Sequence, residues 1–297
     1  MTRSPLPASF LRPAAAVLLC AGVLLGCGRE GPDAPSGPSA THRRPATARA
    51  AEPERVLPLD RYFLTPSDTA RIQRGIGVLV ADCMRGAGLR PPPGPLAPPP
   101  SPPRNERRYG VTDAASAAEF GYHLPPVPSQ VPGETLDRAR SEALTGTHDG
   151  TRPRADVPAE GCIAASARQV TGAPGYPADP ENLRRLNVES FERSLEDPGV
   201  VRGMARWSAC MREEDFRYRT PLEPSFPAHE ATPEERRTAL ADIACKRRTG
   251  LVELWYAAET GIQRDLIHRH RAELDALMTD RARLLARADR AGRNPST

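Results

Sequence analysis

The chain has little from which to build a large apolar core. Aromatic residues make up 5% of its 297 residues, and 34 prolines and 23 glycines are concentrated in stretches that cannot pack. The remaining segments must therefore bury mainly Leu, Val, Ile and Ala, enough for a modest domain. Alternating apolar and polar residues are missing throughout, which argues against sheet-based folds such as a two-lobed solute receptor. No apolar run reaches the roughly 20 residues of an ordinary membrane-spanning helix. Lysine is nearly absent: Lys246 is the only one. Arginine in its place could signal phosphate recognition, but Ala, Pro and Gly are abundant too, and codon usage in a GC-rich genome accounts for all four. The net charge of +4, with acids and bases interspersed, excludes a nucleic-acid partner on electrostatic grounds.

Several catalytic and cofactor signatures are also missing. There is no Gly-x-Ser-x-Gly elbow, and no phosphate-binding loop can be built around Lys246. No pair of cysteines makes a Cys-x-x-Cys redox or haem motif. His268 and His270, two apart on a helical pattern, project to different faces and make a poor metal pair, and His229-Glu230 lacks the second histidine of a zinc-protease helix. A Cys-Met dipeptide such as Cys210-Met211 invites comparison with copper sites, but adjacent side chains diverge on a helix. No metal and no cofactor are expected.

What is present begins at the N-terminus. Arg3 and Arg12 precede an apolar run from Ala14 to Leu25, the layout of an export signal. The run ends in Leu24-Leu25-Gly26-Cys27, which resembles the lipobox of bacterial lipoproteins. The resemblance implies cleavage after residue 26, diacylglyceryl attachment at Cys27 and a place on the outer face of the cytoplasmic membrane, with membrane lipid as the first partner. Two acyl chains on one residue suffice for stable anchoring. Cys20 is excluded as the anchor because bulky Leu19 precedes it. Leu25 is larger than many lipoboxes carry at that position. Removing residues 1–26 takes away two arginines and leaves about +2.

Residues 27–58 read as a disordered Pro/Ala/Gly-rich tether, too polar to offset the entropy of ordering it. Residues 59–291 read as an all-α domain of irregular, multi-helix type, interrupted by a proline-rich surface loop over 91–108 and followed by a loose tail, 292–297. Thr65-Pro66 opens the first helix, with Asp68 in its first turn and Ile72, Ile76, Leu79 and Cys83 on one face, ending at Gly86 and Gly88. Gly75 and Gly77 weaken that helix by about 1 kcal/mol each unless they allow a close approach. Asp113 caps a short helix from Ala114 to Phe120, stopped at Gly121. Further helices are expected over Leu136 to Leu144, from near Cys162 to Gly172, and from Asp179-Pro180-Glu181. Asp197-Pro198 opens one with Val200, Met204, Trp207 and Met211 on a single face. Those residues, with Trp255, are read as core rather than as a binding surface. Thr232-Pro233-Glu234-Glu235 has the spacing of a capping box, leading to Leu240, Ile243 and Cys245. From Leu251 to about Ala291 the pattern stays helical, but its apolar stripe drifts, and a break is expected near Gly261.

With Cys20 in the signal and Cys27 on lipid, four cysteines remain: Cys83, Cys162, Cys210 and Cys245. An even number in an exported chain with a thin core reads as two disulfides. Three pairings are possible, and an internal echo chooses among them. Ala81-Asp82-Cys83-Met84-Arg85 and Ser208-Ala209-Cys210-Met211-Arg212 each close an amphipathic helix. Each is followed by a proline-bearing loop and a helix with one more cysteine. Pairing within halves gives Cys83–Cys162 and Cys210–Cys245.

The chain carries Cys83-Met84-Arg85, Arg108-Tyr109-Gly110 with Gly121-Tyr122, Gly161-Cys162, Trp207-x-x-Cys210-Met211, and Cys245 before Thr249-Gly250-Leu251. This set resembles a group of functionally uncharacterised lipoproteins of high-GC Gram-positive (actinobacterial) type, over most of residues 65–260. The resemblance implies a lipoprotein without supplying an activity. The expectation is a membrane-anchored, non-catalytic module that binds an envelope protein or cell-wall partner. The alternatives are a cell-wall hydrolase using Glu213, Glu214 and Asp215 as acid and base, and an accessory or solute-binding lipoprotein of a transporter.

Overall fold

The computed structural model describes residues 55–92, 103–126, 135–147 and 155–293. Cys20, Cys27, the tether up to residue 54, the central prolines 93–102 and the tail from residue 294 lie outside them. The described residues belong to one unit and are all-α, with no strand among them. A 3-10 turn at Pro58–Tyr62 comes first. It is followed by α1 (Pro66–Gly86), α2 (Ala114–Phe120), α3 (Arg138–Thr145), α4 (Gly161–Thr171), α5 (Glu181–Leu195) and α6 (Pro198–Glu213). The chain then continues as α7 (Pro233–Thr249), α8 (Leu251–Arg269) and the long C-terminal α9 (Arg271–Arg293). The 58–62 turn takes in Pro58, which composition assigned to the tether, and α9 carries on two residues past Ala291.

The helices gather into two packed groups. α1, α3, α4 and α9 share a core of Ile72, Ile76, Val80, Met84, Leu144, Val170 and Leu285. In the other, α6, α7 and α8 enclose Val200, Trp207, Met211, Leu251 and Trp255, with α5 along α8 and α2 on α7. Leu59, Tyr62 and Phe63 of the 58–62 turn wedge between Leu183 and Leu186 of α5 and Leu266 and Leu274 of the C-terminal helices, joining the groups. Each group holds one disulfide. Cys83–Cys162 links α1 to α4 across 79 residues, and Cys210–Cys245 links α6 to α7 across 35, as the internal echo indicated.

Helix starts follow local chemistry closely where the cap is polar. Thr65 and Asp68 form a reciprocal box: the Asp68 N–H donates to Thr65 Oγ1 at 3.1 Å, and the Thr65 N–H donates to Asp68 Oδ2 at 2.9 Å. Burial works against ionisation of Asp68, but the Thr65 hydroxyl and N–H, with Arg281 from α9, hold its carboxyl below the ordinary value. Asp113 and Asp197 cap α2 and α6 as expected.

Four details depart from the sequence reading. Pro180, not Asp179, is the N-cap of α5, and no side chain caps it; Asp179 instead pairs with Arg104 at 3.2 Å. Only half of the box at α7 forms: the Glu235 N–H reaches Thr232 Oγ1 at 3.1 Å, but the Glu235 side chain turns inward. Leu240, expected on the buried face of α7, is 39% exposed. The break between the last two helices falls at His270, and Gly261 stays within α8. Residues 103–108 also do more than bridge the surface, since Asn105 is buried and Arg108 reaches the core.

Gly75 explains why α1 tolerates glycine. A Cβ there would lie 2.5 Å from the Ala288 carbonyl oxygen on α9, so the two backbones touch at this position. At Gly77 a Cβ meets open space. Gly75→Ala is therefore expected to destabilise by about 1–3 kcal/mol through overpacking, whereas Gly77→Ala gains up to about 1 kcal/mol in helix propensity. Urea unfolding of the two variants checks this, and equal shifts would mean that α1 and α9 do not cross here.

Candidate functional site

The residues nominated from the sequence sort clearly. Met204, Trp207, Met211 and Trp255 are buried, as the core reading required. Glu213, Glu214 and Asp215 sit exposed at the end of α6, where Glu213 pairs with Arg248 at 2.7 Å. His268 lies in the last turn of α8, and His270 is the residue between α8 and α9, near Glu273. Among the described residues, no group of three or more His, Cys, Asp or Glu side chains is placed to hold a metal ion. No helix among them is long and apolar enough to cross a membrane.

The feature that sequence reasoning missed is a strap, residues 103–123, whose polar side chains enter the second helix group. Three charged sites on α7 and α8 are buried, and the strap reaches each of them. Glu259, fully buried on α8, accepts from Arg108 Nε with both oxygens at 2.9 Å. Its carboxylate also accepts the Tyr109 hydroxyl and the Ser190 hydroxyl, each at 2.9 Å. Gln263 Nε2 adds a donor at 3.3 Å, while Gln263 Oε1 accepts the N–H of Leu59 at 2.8 Å. Burial, then the adjacent Glu259 carboxylate, push the Tyr109 phenol far up from its ordinary value.

One turn of the strap further on, Asp242 and Lys246 form a buried ion pair at 2.9 Å, four residues apart on α7. Asp242 also accepts Trp207 Nε1 at 2.9 Å and the Tyr122 hydroxyl at 3.3 Å, and Lys246 Nζ donates to the Val111 carbonyl at 2.9 Å. Burial pushes the Asp242 carboxyl up and the Lys246 ammonium down, each opposed by the other's charge. Gly110, at φ 77°, is where the strap backbone passes over that ammonium: a Cβ would come within 2.7 Å of Nζ. At the third site the Tyr122 N–H donates to Glu235 Oε1 at 2.8 Å, and His123 Nε2 stands 3.3 Å from Oε2. Arg108-Tyr109-Gly110 and Gly121-Tyr122, set apart in the sequence only as carriers of a resemblance, are thus the strap's contacts with the helices.

Apart from His123 Nε2 and Glu235 Oε2, which stand 3.3 Å apart without a hydrogen bond, these donors and acceptors are taken up by one another, so what the network does chemically is hold the strap. Because the sole lysine is 2% exposed, an amine-reactive ester is expected to leave Lys246 unmodified in the native protein and to acylate it in guanidinium. Peptide mass spectrometry reads both states. Rapid native labelling would show that the strap opens readily.

An open concavity among the described residues lies elsewhere, between the 58–62 turn and α8. It is a groove of about 620 Å3, with Tyr256, Thr260, Arg264 and Ile267 forming one stripe of α8 and Val56, Pro58 and Arg61 opposite. The Tyr256 hydroxyl donates to the Val56 carbonyl at 2.8 Å across one end. Asp60 caps its own turn through the Leu57 N–H at 2.6 Å and receives the Asn105 amide, also at 2.6 Å. Buried oxygens Asp60 Oδ1 and Thr260 Oγ1 have no hydrogen-bond partner. Comparison with protein-family models, with curated proteins and with solved structures finds no match to this chain.

Proposed function

We propose that this chain is a lipid-anchored lipoprotein of the outer face of the cytoplasmic membrane, carrying a non-catalytic helical module that binds a component of the envelope. The observation that carries the reading is the arithmetic of the cysteines. Setting aside Cys20 in the signal and Cys27 at the lipobox-like site leaves four, and those four pair completely with one another. Such pairing suits an oxidising compartment outside the cytoplasm. The exposed acids at 213–215, one of them tied to Arg248, lend nothing to a hydrolase reading.

The experiment is metabolic labelling with an alkyne-bearing fatty acid, using the full chain expressed in a bacterium that processes lipoproteins. The wild type and a Cys20→Ala variant are expected to take up label and fractionate with membrane, and Cys27→Ala to lose the label. Label retained in Cys27→Ala, or absent from the wild type, would overturn the reading.

A further inference from the structure

The groove between the 58–62 turn and α8 combines apolar walls with more cationic than acidic side chains. Arg264 is exposed and pairs with no carboxylate among the described residues. Arg61 lies over the Tyr62 ring at 4.6 Å and donates to its hydroxyl rather than to an acid. The one carboxylate on the walls, Asp60, spends one oxygen on Leu57 and Asn105, and its other oxygen is buried. Two arginines and one aspartate therefore line the groove, which leaves it an excess of one positive charge. The apolar surface beside them is unusually open: Val56 is 61% exposed, more than any other large apolar side chain described, and Pro58 and Ile267 continue it. A volume of about 620 Å3 falls within the usual range of small-molecule sites, about 300–1,000 Å3.

We propose that this groove binds a single-chain anionic amphiphile, with an acyl chain along Val56, Pro58 and Ile267 and its terminal carboxylate held by Arg61 and Arg264. Arginine suits that end, because its planar fork matches a carboxylate with two parallel N–H donors. The apolar chain supplies the remaining affinity by leaving water. A neutral amphiphile would leave the excess positive charge unmatched, and a short carboxylate would leave the walls exposed. The inference rests on the groove alone and is independent of lipid attachment at Cys27.

The test is photo-crosslinking of the full chain carrying Cys27→Ser, so that no covalent acyl group competes. The probe is a diazirine-bearing hexadecanoic acid, with the labelled peptides mapped by mass spectrometry. Label is expected within residues 56–65 or 256–267 and is competed by hexadecanoic acid. Hexadecanol and acetate should each compete at least about tenfold more weakly, the loss expected when a charge-assisted contact or the apolar contact is missing. Arg61→Gln with Arg264→Gln should cut labelling by a similar factor while the protein keeps its helical circular-dichroism spectrum, since both side chains are exposed. Thr260→Trp, which fills the groove, should abolish it. Label mapping elsewhere, equal competition by the alcohol, or wild-type labelling of the double variant would each overturn the proposal.

Discussion

Replacing Arg108 with alanine is expected to cost about 3–5 kcal/mol, the penalty for leaving a buried charge without its partner. Glu259 would keep the Tyr109, Ser190 and Gln263 donors but lose the guanidinium that opposes its charge. For a domain of ordinary stability, about 5–15 kcal/mol, that is a large fraction. The loss also reaches beyond one contact. Arg108 donates to the Asn187 carbonyl on α5, at 2.9 Å, so it ties the strap to two helices at once. Adding Glu259→Gln to the Arg108→Ala background should recover part of the loss, because the side chain left behind is then neutral. Urea unfolding of the wild type, both single variants and the double variant completes the cycle. An Arg108→Ala loss below about 1 kcal/mol would mean that the carboxylate is solvated in solution and the strap is not seated.

Removal of the disulfides is the second large effect. In the loop-entropy description, Cys83–Cys162 contributes roughly 4.5 kcal/mol and Cys210–Cys245 roughly 4, for loops of 79 and 35 residues. Cys83→Ser with Cys162→Ser, and Cys210→Ser with Cys245→Ser, should each lower the urea midpoint by an amount in this region, the first pair slightly more. The two losses should add, because the bridges sit in different helix groups and share no contact. A protein that keeps its midpoint after full reduction would owe nothing to either bridge, and the argument for an oxidising compartment would lose its energetic basis. Peptide mapping without reduction provides an independent check, and a Cys83–Cys245 link would overturn the pairing itself.

The two effects differ in how visible their causes are in the sequence. The cysteine pairing was legible because the repeated Cys-Met-Arg word, each time at the end of an amphipathic helix, marks two equivalent units. The Arg108–Glu259 pair was not legible. Glu235, Asp242, Lys246, Glu259 and Gln263 are all buried, yet by residue type they belong to a solvated face. Their presence among core positions is also why the apolar stripe of α8 drifts. Trp255 and Leu266 frame a buried stretch whose intervening inward positions, Glu259 and Gln263, are polar. Leu240 was placed inside α7 for the same reason: the true inward face carries Glu235, Asp242 and Lys246. Periodicity counts apolar residues, and it fails where charges are buried with partners supplied from 100 or more residues away.

Local chemistry alone therefore determined the all-α class, the starts of α1, α2 and α6, the ends of α2 and α4, and the partners of all four described cysteines. The helix boundaries depend on neighbours within a few residues: a hydroxyl or carboxylate facing a free N–H, a proline that fits only a first turn, a glycine at a helix end; the cysteine pairing came from the repeated Cys-Met-Arg word. Only the tertiary structure decided that Gly75 is a crossing point with Ala288, that residues 103–123 form a strap over buried charges, and that Val56 and Arg61 face Arg264 across a groove. Each joins residues roughly 110–215 positions apart, and the free energy of such a contact depends on the surroundings the partner brings, which no local stretch of chain specifies.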